Sequence, residues 1–428
     1  MDPTLLAICM VLAVSGCAIG TFSGLVPGIH VNTLAALLLA SYPAIEGMLN
    51  MDSESSAMAV GCCIMAASVV HSFVDFVPSV FIGAPDAEDA VSVLPGHRLL
   101  LKGRGMEAVR AAAIGSLIGC SAAIVLSAPL QWILMNGAGD ALDSMTPVVL
   151  IVASAVLIGG EFRKGNGLWG AALFLLSGVL GLGCMILPIP VAGILGEGTV
   201  MMPLLTGLFG IPVMLSSSDG ARRPRQTDRV KDPVGPVPGL RGVLMGTIAG
   251  WFPGMTATVG ASISATVFPE DQPARFISTV ASIGTVTSVL ALVTLSVSGN
   301  GRSGTALVIG EIVGDGLDGF MSEAFVMLLL ASAMASLLGY WITIGCGKLF
   351  SRLADRVRQR MLSRTILILL VVLTFLMNGP AGLFVLLCAT AIGLLPGMFG
   401  TGRVILCGCL ILPVLLFRFG VFRSLKLG

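Results

Sequence analysis

Apolar runs recur along the chain, several of about 20 residues, the length that crosses the hydrocarbon core of a bilayer, and others shorter. Gly, Pro and short charged clusters separate them. The pattern predicts apolar helices at Leu5 onward, Val31–Tyr42, Ala57–Phe81, Ala111–Met135, Pro147–Leu157, Leu168–Pro188 and Val200–Leu215. After a polar stretch come Gly242–Phe252, Thr256–Phe268, Phe276–Ser296, Ala324–Gly345, Thr365–Met377, Leu383–Leu395 and Val404–Leu416. Short alternating strands of the transmembrane-barrel kind are absent. The expected fold is therefore all-α: a polytopic membrane protein with about 10–12 transmembrane segments.

Two of the runs are interrupted in the same way. Gly20–Thr33 reads GTFSGLVPGIHVNT and Gly246–Gly260 reads GTIAGWFPGMTATVG, with one spacing of Gly-Thr, Gly and Pro-Gly in both. Proline removes a helix hydrogen bond and clashes with the preceding turn, while glycine permits the bend that follows. Matched interruptions in two hydrophobic halves point to the substrate site of a transporter, built from broken helices or re-entrant hairpins. The half-helix after each Pro-Gly presents unpaired N–H groups and a positive dipole end, suited to carboxylate or phosphate oxygens. A third Pro-Gly corner is expected at Pro396-Gly397.

The only long polar stretch, residues 216–241, divides the chain into a first half, 1–215, and a second, 242–428. Lys and Arg concentrate in a few connections: 98–110, 163–164, 222–241, 348–364 and the tail. Placing these in the cytoplasm puts the N-terminus outside a cell membrane and the C-terminus inside. The two halves are then traversed in opposite directions, which predicts an inverted repeat and alternating access.

Composition sharpens the picture. Of 428 residues 55% are hydrophobic and 11% charged, against about 25% charged in a soluble domain. Mean hydropathy is +0.98. The ten cysteines lie almost entirely within apolar runs, with no C-x-x-C pair, and read as small packing residues; no metal site is indicated. No phosphate-binding G-x-x-x-x-G-K-[ST] loop, H-E-x-x-H or G-x-S-x-G is present. The sequence gives no ground for catalytic residues or an enzyme, and no cofactor is expected beyond a coupling proton or sodium ion.

Ionisable groups at membrane depth are functional candidates. His71 and Asp75 stand four apart on one predicted helical face and would form a proton-responsive pair, or equally an interhelical link. A second irregular segment follows each corner: residues 83–89, where Asp86 and Asp89 would take a coupling cation, and residues 298–305, where Arg302 would pair with an anion. Solvated loop ends are the alternative for both. His30 and Asn32 follow the first corner where Thr256 and Thr258 follow the second.

At these corners the chain resembles the large membrane subunit, the permease, of the tripartite tricarboxylate transporter family, in a divergent archaeal-type branch. GTFSGLVPGIHVNT is similar to that family's early glycine-rich G-x-x-P-G signature, and IGAPDAEDAVSVLPGHRLLLKGRGMEAVRAAAIGS to the segment that follows it. The resemblance implies that Gly24, Pro27, Gly28, His30 and Asn32 line one substrate corner and Gly250, Pro253, Gly254 and Thr256 the other. It also implies a small membrane subunit and an extracytoplasmic binding protein as partners, besides membrane lipid and a homodimer as further expectations. His30 and the acidic run at 86–89 depart from the family's small and amide residues, which opens the substrate beyond citrate. A carrier of polyprenyl phosphate between leaflets is the alternative.

Overall fold

The computed structural model describes residues 2–26, 31–82, 93–190, 192–194, 196–197, 200–216, 224–228, 230–252, 255, 257–268, 270–299, 301, 303–354 and 359–421. The described residues are 86% helical, and seven of the described helical stretches are long and apolar enough to span a membrane. The helices in order are α1 Pro3–Leu25, α2 Val31–Leu49, α3 Ser53–Val74, α4 Phe76–Ile82, α5 Val93–Leu101 and α6 Gly105–Ile133. Then come α7 Gly139–Arg163, α8 Gly167–Ile186, α9 Met201–Leu205, α10 Ile211–Ser216, α11 Val237–Trp251 and α12 Ala257–Val267. The last are α13 Pro273–Ser298, α14 Gly304–Val313, α15 Glu323–Ala354, α16 Gln359–Phe399 and α17 Gly408–Arg418. The described strands, Ala192–Gly193 and Gly196–Glu197, pair antiparallel as a minimal hairpin.

Lipid tails are as apolar as leucine, so helices in a membrane associate through close packing and small residues. Gly16, Gly20 and Gly24 make such a stripe on α1. A Cβ at these positions would lie 2.0 Å from Cys63 O, 2.3 Å from Ala67 O and 3.1 Å from His71 O, all on α3. Gly242, Gly246 and Gly250 repeat the stripe on α11, facing Thr279, Ile283 and Thr287 of α13. Position numbers rise together in each pair, so α1 runs parallel to α3, and α11 to α13.

The same reading fixes the other directions. α6 runs parallel to α13, since Gly115 and Gly119 meet Ser278 and Ser282 and Gln131 meets Ser296. α15 runs parallel to α3, with Leu328 against Gly61 and Gly339 against Phe73. α6 and α15 are antiparallel: Met106 and Val109 meet Gly347, while Gln131 meets Met321. Hence α1, α3 and α15 point one way and α6, α11 and α13 the other. α3 and α13 are almost wholly buried at the centre.

Most breaks fall where the apolar pattern stops. The run 105–163 would be about 90 Å long as one helix, far beyond a bilayer, and it breaks at Asn136-Gly137, where Gly137 has φ +99°. Asp140 and Asp143, expected in a loop, lie instead in the first turns of α7, where acidic groups favour the helix dipole. α2 continues through Pro43 to Leu49, past the end expected at Tyr42. In α16 the kink is at Gly379, with φ +63°, ahead of Pro380. Pro396-Gly397 is not a corner: the helix runs on to Phe399 and the turn falls at 400–402. The described part of the polar stretch docks on the α5–α6 junction. There Arg104 pairs with Glu107 and Asp232, Arg110 with Asp228 at 2.6 Å, and Thr227 N–H donates to Gly103 O at 2.9 Å.

Candidate functional site

Both interrupted helices end alike. α1 closes on Val26, in extended conformation (φ −101°, ψ 102°), its N–H donating to Phe22 O at 3.2 Å. α11 closes on Phe252, also extended (φ −85°, ψ 124°), its N–H donating to Ile248 O at 3.3 Å. Each precedes a proline, whose ring pushes the residue before it out of the helical region. Pro27, Gly28, His30, Pro253, Gly254 and Thr256 lie outside the described residues, as do Arg302, Asp86 and Asp89.

The described candidates meet at the middle of the bundle. Gly24 brings α1 against the end of α3, where a Cβ would be 3.1 Å from both His71 O and Asp75 N. His71 and Asp75 are buried. The Nδ1 of His71 is 2.9 Å from the hydroxyl of Ser23 on α1. The Asp75 N–H caps α3 by donating to His71 O at 3.0 Å. His71 is thus engaged across α1–α3, and Gly24, His71 and Asp75 form one cluster.

Next to His71, Ser72 reaches Ser288 of α13, with the hydroxyl oxygens 3.3 Å apart. Next to Ser288, Thr287 lies under Gly250 of α11, its Cα 3.6 Å from where a Cβ would be. The contacts Gly24–His71, Ser72–Ser288 and Thr287–Gly250 therefore join the ends of the two broken helices through a single crossing. Ser72 and Ser288 occupy the same place relative to their own glycine stripes.

Asn32, four residues past Gly28 and at the start of α2, reaches the second irregular segment of the other half. Its Oδ1 accepts from Thr305 N–H at 3.0 Å. Gly304 makes room, since a Cβ there would be 2.7 Å from Asn32 Cγ. Ser303 caps α14 by accepting from Ala306 N–H at 3.1 Å, and Thr305 Oγ1 is 3.0 Å from Ser303 and 3.5 Å from Ser68. Ser23, Ser68, Ser72, Ser288, Ser303 and Thr305 were not singled out by the sequence. Ser68 and Ser72, four apart in a largely apolar run that also holds His71 and Asp75, were the available signal.

Gly250 has a different outlook. With Trp251, Phe252, Leu290, Val293 and Leu134 it lines an apolar cleft of about 150 Å³ beside the second corner.

Seven long apolar helical stretches, packed through glycines with two sets running in opposite directions, define a multi-pass α-helical membrane protein. The chain belongs to the tripartite tricarboxylate transporter TctA family, whose model matches residues 10–408. It is therefore a component of a secondary transporter, and the family's membrane subunits work with a small membrane subunit and a binding protein in tripartite systems. An uncharacterized protein of Methanocaldococcus jannaschii is 26% identical over 331 residues, covering 75% of this chain and 76% of the relative. No solved structure matches.

Proposed function

We propose that this protein moves a small organic anion, of the di- or tricarboxylate kind, by alternating access between two inverted units. The units are residues 1–215 and 242–428, joined by 216–241. The observation that carries the proposal is the single crossing that links the ends of α1 and α11 through Ser72 and Ser288, between helices running in opposite directions. Opposed broken helices at one depth give an anion two sets of backbone donors, and tilting one unit against the other changes which membrane face reaches them. Pro27, Gly28, His30, Asn32, Pro253, Gly254, Thr256 and Arg302 would line the anion path. His71, Asp75, Asp86 and Asp89 would respond to the coupling proton or sodium ion.

The α6 start, the docked polar segment and the α15 end gather Arg104, Arg110 and Lys348 at one end of the bundle, which supports a cytoplasmic assignment for that end. A small membrane subunit, an extracytoplasmic binding protein and a second copy of the chain are the proposed partners. The test is uptake of labelled carboxylates into proteoliposomes, with and without imposed sodium or proton gradients. Pro27→Ala with Pro253→Ala should abolish uptake and leave insertion intact; normal flux in that variant refutes the mechanism. The apolar cleft at Gly250–Phe252 favours one alternative, a polyprenyl phosphate whose tail occupies it. Movement of a labelled lipid phosphate between leaflets, with no carboxylate uptake, would select that reading.

A further inference from the structure

A second buried carboxylate lies away from the crossing, in the last turn of α7. Glu161 has 6% of its side chain exposed. One oxygen, Oε1, accepts from Lys164 Nζ at 2.8 Å. The other, Oε2, is buried and has no hydrogen-bond partner among the described residues. Two glycines pack close to the group: a Cβ at Gly170 of α8 would be 2.8 Å from Glu161 Cβ, and one at Gly402 would be 3.0 Å from Oε1. The turn carrying Gly402 is held by Asn166 Nδ2 donating to Gly400 O at 2.9 Å. Within that turn Thr401, 9% exposed, has a buried hydroxyl that also lacks a partner.

A buried carboxylate oxygen without a protein donor is among the costlier groups to bury, and a buried hydroxyl without a partner adds to it. Both are hard oxygen donors, the kind that hard cations take. One carboxylate balances one positive charge. Lys164 supplies that charge from the solvent edge, where its side chain is 61% exposed and free to withdraw. The other nearby charges are Arg163, exposed on the same helix end, and Arg403, whose guanidinium donates to Pro212 O at 3.3 Å.

We propose that Glu161 and Thr401 form a monovalent-cation site, for sodium or a proton, with Lys164 as a tethered competitor. A role in ion coupling rests on the transport reading above; cation binding does not.

The test is the thermal stability of the full-length protein in detergent, titrated with sodium chloride against choline chloride at constant ionic strength and one alkaline pH. A cation bound only by the folded state raises Tm in proportion to its occupancy. Wild type should show the sodium-dependent rise and Glu161→Gln should lose it. Thr401→Val should raise the half-saturating sodium concentration several-fold, and Lys164→Gln should lower it several-fold. Should Glu161→Gln fail to fold, the opposite shifts in the other two variants carry the test. If sodium is silent and acidification in choline gives a rise that Glu161→Gln abolishes, the cation is a proton and the site stands. An equal sodium or acid response in Glu161→Gln and wild type overturns the site, as does the absence of both responses in wild type. Failure of carboxylate uptake with an intact sodium response would overturn the transport reading alone.

Discussion

Alanine substitutions along the glycine stripes test the packing that brings the broken helices together. At Gly20 a Cβ would be 2.3 Å from Ala67 O, and at Gly16 2.0 Å from Cys63 O. Ordinary contact begins near 3.4 Å, so α1 and α3 must separate by about 1 Å. The obstacle is backbone, which cannot rotate aside. Overpacking of this kind costs about 1–3 kcal/mol; against that, replacing a helical glycine gains at most about 1 kcal/mol. Gly16→Ala and Gly20→Ala should therefore destabilise by about 1–2 kcal/mol net. Gly246→Ala would be 2.7 Å from Val286 Cβ, a milder approach, and should cost less; Gly250→Ala, 3.3 Å from Leu290 Cβ, should be near neutral. Gly284→Ala meets nothing within 4 Å and should stabilise by up to about 1 kcal/mol. Thermal unfolding of the purified variants in one detergent ranks them. Equal stability of Gly16→Ala and Gly284→Ala would refute the close approach of α1 to α3.

Asn32→Ala should leave Thr305 N–H without its acceptor, cost about 1 kcal/mol, and reduce uptake while nearly normal amounts of protein insert; full uptake would separate Asn32 from the site. Gln131→Leu removes bonds to Ser296, Gly319 and Met321 and should destabilise by about 2–3 kcal/mol in the same unfolding assay. Asp52 caps α3 through Ser55 N–H at 2.9 Å, which holds its carboxyl below the usual 3.8. Its stabilisation is present above the ordinary aspartate range and fades as pH falls through the lowered value. Asp52→Asn should accordingly differ from wild type at neutral pH and converge with it in acid, as read by Tm.

Local rules carried the fold a long way. Apolar length located α8 and α13 within a few residues, and the Pro-Gly interruptions anticipated where α1 and α11 end. They did less well where a break depends on what lies beside it. Pro396 costs α16 little, because a membrane helix tolerates proline when neighbouring groups satisfy the freed carbonyl. Gly379 takes a left-handed φ next to Ala192, whose O would lie 2.6 Å from a Cβ there, a neighbour no local pattern reveals. The ends of α1 and α11 were legible in the Pro-Gly spacing, and the serines that join α3 to α13 were not. Ser72 and Ser288 acquire meaning only when the directions of α3 and α13 are known.

That serine pair has one further consequence. Ser72 Oγ also donates to Ser68 O at 3.1 Å, and Ser288 Oγ to Gly284 O at 3.0 Å. A hydroxyl has a single proton, so only one serine can donate across the 3.3 Å crossing while the other keeps its own helix. The two arrangements are equivalent if the units are, and neither leaves a donor unpaired. Ser72→Ala and Ser288→Ala should each cost about 1 kcal/mol or less and cost the same, since the surviving serine returns its proton to its own carbonyl. The double variant should cost hardly more than either single one, giving a coupling of about 1 kcal/mol in a double-mutant cycle. Singles that differ by well over 1 kcal/mol, or that simply add, would mean that the crossing does not relate the two units.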